Sequence, residues 1–91
     1  MAERLPDDQV DRRLPDDWER DGDEIVRVYD FSDYLDGVAF ATECAEIAEE
    51  AFHHPEIRIG YEEVEVRLTS HEAGGVTEVD LELAELFDEV R

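Results

Sequence analysis

All three histidines of the chain lie within residues 49–80, and two of them are adjacent. His53 and His54 directly precede Pro55, and His71 follows on a later segment. Histidine is the side chain whose unperturbed pKa, roughly 6.5, allows it to donate or accept a proton near neutrality. The clustering therefore predicts general acid and base chemistry, with His53, His54 and His71 as the catalytic candidates.

A metal site is the main alternative for these side chains. Three imidazoles together with Glu49 or Asp80 could supply a tetrahedral or facial set of donors. Adjacent side chains at a helix exit rarely converge on one ion, unlike histidines spaced one helical turn apart. We therefore expect no metal here. Cys44, the only cysteine, lies in an apolar stripe, so neither an intramolecular disulfide nor a cysteine nucleophile is expected.

Several elements precede the histidine pair. Residues 5–14 are typical of a short helix, with Pro6 at its start and Pro15 preventing its continuation. A short strand is expected near Trp18. Residues 25–31 alternate in character and indicate a further strand, although the alternation leaves open which face is buried.

A long helix follows, for which Ser32 is the expected N-cap. Pro55 prevents it from continuing, so His53 and His54 are expected where the chain leaves the helix. Apolar residues recur at helical spacing and predict a wide buried stripe. Its members are Tyr34, Leu35, Val38, Phe40, Ala41, Cys44, Ala45, Ile47, Ala48 and Phe52.

The sequence of the last third of the chain predicts a β-hairpin followed by a helix. Residues 57–61 and 64–68 alternate and can pair about Gly60, and the second strand leads to His71. Thr77 is expected to start the last helix, whose predicted stripe is Leu83, Leu86, Phe87 and Val90. The elements together predict one α+β domain over residues 1–91, in which helices cover one face of an antiparallel sheet of about four strands.

The order and spacing of these residues resemble the signature of the pterin-4a-carbinolamine dehydratase family. That signature places an acidic residue four positions before His-His-Pro, followed by an aromatic residue, a histidine and an aspartate. The resemblance extends to Trp18, Asp30-Phe31 and residues 71–80, although Phe52 and Ser70 depart from the usual residue types. The matching residues are Glu49, His53, His54, Pro55, Tyr61, His71 and Asp80.

The resemblance implies dehydration of a 4a-hydroxytetrahydropterin to the quinonoid dihydropterin without a cofactor. His53 and His71 would be the acid and base candidates, and His54 would hold the pterin or share proton transfer. The spacing of Asp80 from Thr77 equally suits a capping box, and the two roles can coexist. The substrate-binding positions implied are Trp18, Glu49, Pro55, Ser70, Glu72, Ala73 and Asp80.

Two other functions are compatible with the same resemblance. One is a pterin-binding protein that acts on a molybdopterin-related substrate, and the other is a binding module that dimerises with a transcription factor without turnover. Trp18 and Tyr61 also have a structural interpretation, because aromatic residues of this kind are usually core or half-buried.

Charge narrows the possible partners and setting. The chain carries 28 acidic and eight basic residues, all of the latter arginine, for a formal charge of −20. Such a surface disfavours nucleic acid and anionic membranes. So many negative charges repel one another at low salt, but at about 1 M salt the Debye length is only ~3 Å and the repulsion is screened. The composition therefore predicts a protein from the salt-rich cytoplasm of a halophilic organism.

The apolar segments and the length of the chain predict its cellular location and its oligomeric state. No run approaches the ~20 apolar residues of a membrane helix, and residues 1–13 lack the apolar centre of a signal peptide, so a cytoplasmic protein is expected. A domain this small buries a limited core, which favours a homodimer or homotetramer.

Overall fold

In a computed structural model that describes residues 2–91, the chain forms three helices and a four-stranded sheet. This confirms the predicted α+β fold class. None of the helices within this range is long and apolar enough to cross a membrane. In chain order the elements are α1 (Asp7–Arg13), β1 (Glu19–Asp21), β2 (Glu24–Asp30), α2 (Tyr34–Ala51), β3 (Glu56–Ile59), β4 (Glu63–Leu68) and α3 (Glu78–Glu89).

The sheet is antiparallel throughout, with strand order β1-β2-β4-β3. The hairpin predicted about Gly60 joins β3 and β4, and the Gly60 N–H donates to the Glu63 carbonyl at 2.7 Å. Strand β2 pairs on one side with β1, its neighbour in sequence, and on the other side with the distant strand β4, where Ile25 lies opposite Leu68. The central pair β2 and β4 therefore joins two halves of the chain.

One face of the sheet carries the core. In β2 the buried residues are Ile25 and Tyr29, which identifies the face that sequence alternation left open. Strand β4 buries Val64, Val66 and Leu68, and α2 and α3 pack over this side. The opposite face is polar. Arg67 there lies 2.8 Å from Glu65 and 3.0 Å from Asp21, measured between side-chain nitrogen and oxygen atoms.

Helix α2 differs from the sequence prediction at its start and in the width of its apolar face. Asp33, not Ser32, is the N-cap, and its carboxylate accepts a hydrogen bond from the Leu35 N–H at 3.0 Å. Leu35 itself is 71% exposed and Tyr34 is 48% exposed, so the predicted stripe was too wide. The buried residues of α2 are Gly37, Phe40, Ala41, Cys44 and Ala48.

Gly37 allows the first turn of α2 to approach the sheet closely. A Cβ atom at this position would lie 3.3 Å from Cγ2 of Val64 and 3.5 Å from the Phe31 ring. The absence of a side chain thus sets how closely α2 packs on β4.

Helix α3 begins after Thr77, as predicted, and one face of it covers the core along most of its length. Leu83 and Phe87 are buried, whereas Leu86 is 42% exposed, so the predicted stripe was wrong at that position. Leu81 and Ala84 are buried as well. The buried face is therefore rotated toward these two residues.

Candidate functional site

The end of helix α2 determines where the histidine pair lies. Phe52 adopts the left-handed conformation, with φ 54° and ψ 42°, immediately after the last helical residue. The His53 N–H donates to the Ala48 carbonyl at 3.0 Å, and the Phe52 N–H donates to the Glu49 carbonyl at 3.2 Å. These two bonds form a Schellman motif, which ends the helix and turns the next residue away from its axis. His53 consequently points back toward α3.

His53 is held by a buried carboxylate. Its Nε2 atom lies 2.6 Å from Oδ1 of Asp80, whose side chain is fully buried. The other oxygen of Asp80 accepts bonds from the Ser70 hydroxyl at 2.8 Å and from the Thr77 N–H at 2.9 Å. The Ser70 and Thr77 hydroxyl oxygens are 2.9 Å apart. Asp80 therefore combines the two roles expected of it, capping α3 and orienting an imidazole.

This contact constrains the protonation of the ring. A carboxylate only accepts hydrogen bonds, so Nε2 of His53 is the donor to Asp80. In the neutral imidazole the remaining nitrogen, Nδ1, then carries no proton and can accept one.

His54 has a separate partner on the protein surface. Its Nε2 is hydrogen bonded to a carboxylate oxygen of Glu49, one turn back on α2. The side chains are 55% and 74% exposed, so this pair lies at the rim rather than in the interior. Glu49 thus contacts His54 as Asp80 contacts His53.

His71 reaches the same region from the turn that follows β4. Strand β4 ends at Leu68, and a bridge between Ser70 and Gly75 closes a turn that contains His71. Gly74 in this turn has φ 77°, a value that glycine adopts without strain. The turn leaves the His71 side chain exposed.

These three segments surround a cavity of about 490 Å³. A volume of this size lies in the range of small-molecule sites. All three histidines line the cavity, together with three of the predicted substrate-binding residues: Ser70, Glu72 and Ala73. The remaining lining residues are Ala2, Phe52, Thr69, Thr77 and Val79.

Four predicted substrate-binding residues do not line this cavity. Glu49 and Asp80 are each bonded to a histidine, Glu49 at the exposed rim and Asp80 in the buried interior, and Pro55 follows the histidine pair. Trp18 is in the core, 5% exposed, with its Nε1 atom donating to the Asp88 carboxylate at 3.1 Å. The indole packs edge-on to the Tyr29 ring at a centroid distance of 6.3 Å.

Sequence reasoning missed five lining residues, one of which, Phe52, it placed in the buried stripe of α2. Thr69 and Thr77 could have been found from their places beside Ser70 and at the cap of α3. Val79 follows in the first turn of that helix, where sequence gives no sign of its orientation. Ala2 carries no signal, because its place depends on the bond from the Leu5 N–H to the Val76 carbonyl at 2.8 Å.

The cavity wall does not bring together a set of metal ligands. Within residues 2–91, no group of three or more His, Cys, Asp and Glu side chains is arranged to hold an ion. His53 and His54 instead contact two different carboxylates. The arrangement is suited to moving protons to and from a ligand in the cavity.

Comparison with known proteins gives consistent matches along the chain. The family model for pterin 4 alpha carbinolamine dehydratase matches residues 3–90. A protein of Halobacterium salinarum, provisionally named pterin-4-alpha-carbinolamine dehydratase, is 63% identical over 91 residues and is covered completely, as is this chain.

Two solved structures share the fold. A transcriptional coactivator/pterin dehydratase from Brucella melitensis has a TM-score of 0.88 at 30% identity, covering 96% of this chain and 97% of that one. A pterin dehydratase-like protein identified as a RuBisCO assembly factor in the alpha-carboxysome has a TM-score of 0.68 at 25% identity. That match covers 80% of this chain and 87% of the other.

Proposed function

The chain belongs to the pterin-4-alpha-carbinolamine dehydratase family, and from this premise we propose that it eliminates water from a 4a-hydroxytetrahydropterin. The product is the quinonoid dihydropterin. The observation that carries the proposal is the convergence of His53, His54 and His71 on one cavity, with His53 fixed by Asp80. No metal or other cofactor enters the proposed reaction.

The reaction requires two proton transfers. The bond between C4a and the hydroxyl oxygen breaks as an acid protonates the leaving group, and N5 loses its proton to a base as a double bond forms between C4a and N5. Each such transfer typically contributes 10²–10⁴-fold to the rate. We assign the base to Nδ1 of His53, because Asp80 occupies the other ring nitrogen. His71, which also lines the cavity, is the acid.

The other residues bind or orient the substrate. His54, held by Glu49, contacts the pterin at the rim, and Pro55 fixes the chain direction after it. Glu72 lines the cavity and supplies a carboxylate for the guanidine-like edge of the ring, while Ala73 forms an apolar part of the wall. This proposal leaves Trp18 as a core residue.

The proposal is tested by the rate of dehydration of chemically generated 4a-hydroxytetrahydropterin in molar salt. We expect His53→Ala and His71→Ala each to lose about 10²-fold or more, while keeping the far-ultraviolet spectrum of the wild type. Arg12→Gln on the exposed face of α1 serves as the control and should leave the rate unchanged. A folded wild type without activity would overturn the proposal.

A binding role without turnover, or a molybdopterin-related substrate, is the second candidate. The likeness to a protein identified as a RuBisCO assembly factor supports a binding role. A binding role without turnover would not require proton transfer, so the histidine variants would retain it. Loss of function in both variants therefore favours catalysis.

The cellular setting follows from charge. We propose a salt-rich cytoplasm, supported by the charge of −20 and by the similarity to a Halobacterium salinarum protein. The proposed partner is a small pterin, and we propose that the protein binds neither nucleic acid nor a membrane. Association into a homodimer or homotetramer is proposed because the monomer's core is small and apolar residues of the sheet such as Val28 and Ile59 are exposed.

A further inference from the structure

Phe52 combines two features that the fold alone does not favour. Its side chain is 87% exposed, and its backbone lies in the left-handed region. Glycine is the usual residue at this position of a Schellman motif, and asparagine is tolerated there, whereas a bulky side chain is strained. A large apolar side chain has thus been placed in water at a position where a small or polar one would fit better.

Packing within the described residues 2–91 compensates little for this placement, because most of the ring remains exposed. Phe52 is absent from the core cluster, and its ring meets that of His54 only edge-on, at a centroid distance of 6.1 Å. It does line the cavity that contains the three histidines. A strained, exposed aromatic residue at the edge of a site is the situation in which local strain points to function.

We propose that Phe52 determines substrate affinity by packing its ring against the solvent-facing side of a bound pterin. This inference rests on the proposed function. A flat bicyclic ring has polar edges and apolar faces, and aromatic residues pair with such faces. In molar salt the attraction between exposed charges is strongly screened, whereas apolar contact is retained. Phe52 therefore gives a highly acidic protein a contact with its ligand that needs no charge.

The inference is tested by equilibrium titration with 7,8-dihydrobiopterin, which lacks the 4a-hydroxyl group and is not turned over. Phe52→Asn removes the ring while suiting the left-handed backbone, and Phe52→Tyr keeps the ring. We expect binding to weaken by roughly tenfold in Phe52→Asn and by less than about twofold in Phe52→Tyr. The melting temperature of Phe52→Asn should equal or exceed that of the wild type.

Leu35→Gln is the matched control, because Leu35 is an exposed apolar residue at the opposite end of α2. Its affinity for the dihydropterin should equal that of the wild type. If the wild type binds the dihydropterin and Phe52→Asn binds it equally well, the inference about Phe52 is overturned, while the proposed pterin site stands. Absence of wild-type binding would overturn the proposed function itself. A lower molecular mass of Phe52→Asn in sedimentation would show that a second copy covers the ring, which also overturns the inference.

Discussion

Asp80 binds His53 through one carboxylate oxygen, at 2.6 Å, and caps the start of α3 through the other. The imidazole is therefore attached to the end of a helix that belongs to the core. Since Asp80 is fully buried, its position is fixed by the packing of α3 as well as by its hydrogen bonds. A residue that stabilises the fold thus also sets the orientation of the proposed base.

Asp80→Asn tests this relationship. An asparagine can still accept the Thr77 N–H bond, but its amide group can donate to Nε2 of His53 and favour the opposite tautomer. We expect the dehydration rate to fall by about 10²-fold or more while the fold is retained. Nitrogen-15 NMR of the imidazole should show the proton moved from Nε2 to Nδ1. An unchanged tautomer would contradict the role given to Asp80.

Asp88 is expected to be important for stability rather than for catalysis. Its carboxylate accepts bonds from Trp18 Nε1, the Arg27 guanidinium at 2.9 Å and the Tyr29 hydroxyl at 2.5 Å. Asp88→Ala would leave three donors without this acceptor, and we expect a loss of about 2 kcal/mol in the free energy of unfolding. Denaturant titration measures it. Glu85→Ala, at an exposed position of the same helix, is the control, and an equal effect of both changes would contradict the prediction.

Cys44 is expected to be unreactive in the folded chain. Burial among apolar side chains raises the pKa of its thiol to about 12, and the side chain is inaccessible. At pH 8 the reactive thiolate is then reduced by about 10³-fold relative to an ordinary cysteine. Labelling with a thiol reagent should be slow in the native protein and rapid in denaturant. Rapid native labelling would show that α2 opens readily.

The ion pair between Arg13 and Glu78 predicts a dependence of stability on pH. Hydrogen bonds of 2.5 and 2.6 Å from Arg13 lower the pKa of Glu78 below its ordinary value of 4.5. The charged carboxylate therefore stabilises the folded state above that pH, and the contribution is lost as the pH falls through the lowered pKa. Both side chains are partly exposed, so the effect is small and screened by salt.

The comparison of wild type and Glu78→Gln in acid unfolding at moderate salt measures this contribution. The difference between the two proteins should be present near neutrality and should disappear in strong acid. Arg13→Gln should also lose the stabilisation that depends on the lowered pKa of Glu78. If Arg13→Gln kept the whole pH-dependent difference, the ion pair would not be its source.

Stability is also expected to rise with salt concentration. With a charge of −20 the folded chain repels itself, and raising the salt from about 0.1 to about 1 M shortens the Debye length from ~10 to ~3 Å. The melting temperature should therefore increase between these conditions in potassium chloride. A constant or falling melting temperature would contradict the proposed adaptation to salt.

Much of the fold could be predicted because its determinants are local. Alternation predicted the strands, Gly60 marked the hairpin, and Pro55 placed the histidine pair beyond a helix. The spacing of Thr77 and Asp80 indicated the cap of α3. Each of these patterns depends on backbone geometry over a few residues, which the sequence specifies directly.

The burial of other residues could not be predicted, because it depends on which surfaces of the helices and the sheet pack against each other. Leu35 and Phe52 fit the helical period of α2 yet lie outside the core, because the sheet covers only part of that helix. Trp18 fits the family pattern but packs beside Tyr29, where its N–H reaches Asp88.

The sequence by itself determined the kinds of groups in this protein: imidazoles, carboxylates, a helix stop and an acidic surface. Only the tertiary structure decided their pairing, with His53 on Asp80 and His54 on Glu49. The first pair is separated by 27 residues in the chain and meets only because α2 and α3 pack on the same face of the sheet. Periodicity predicts the type of an element, whereas the face that it buries and its contacts with distant segments depend on how the elements pack together.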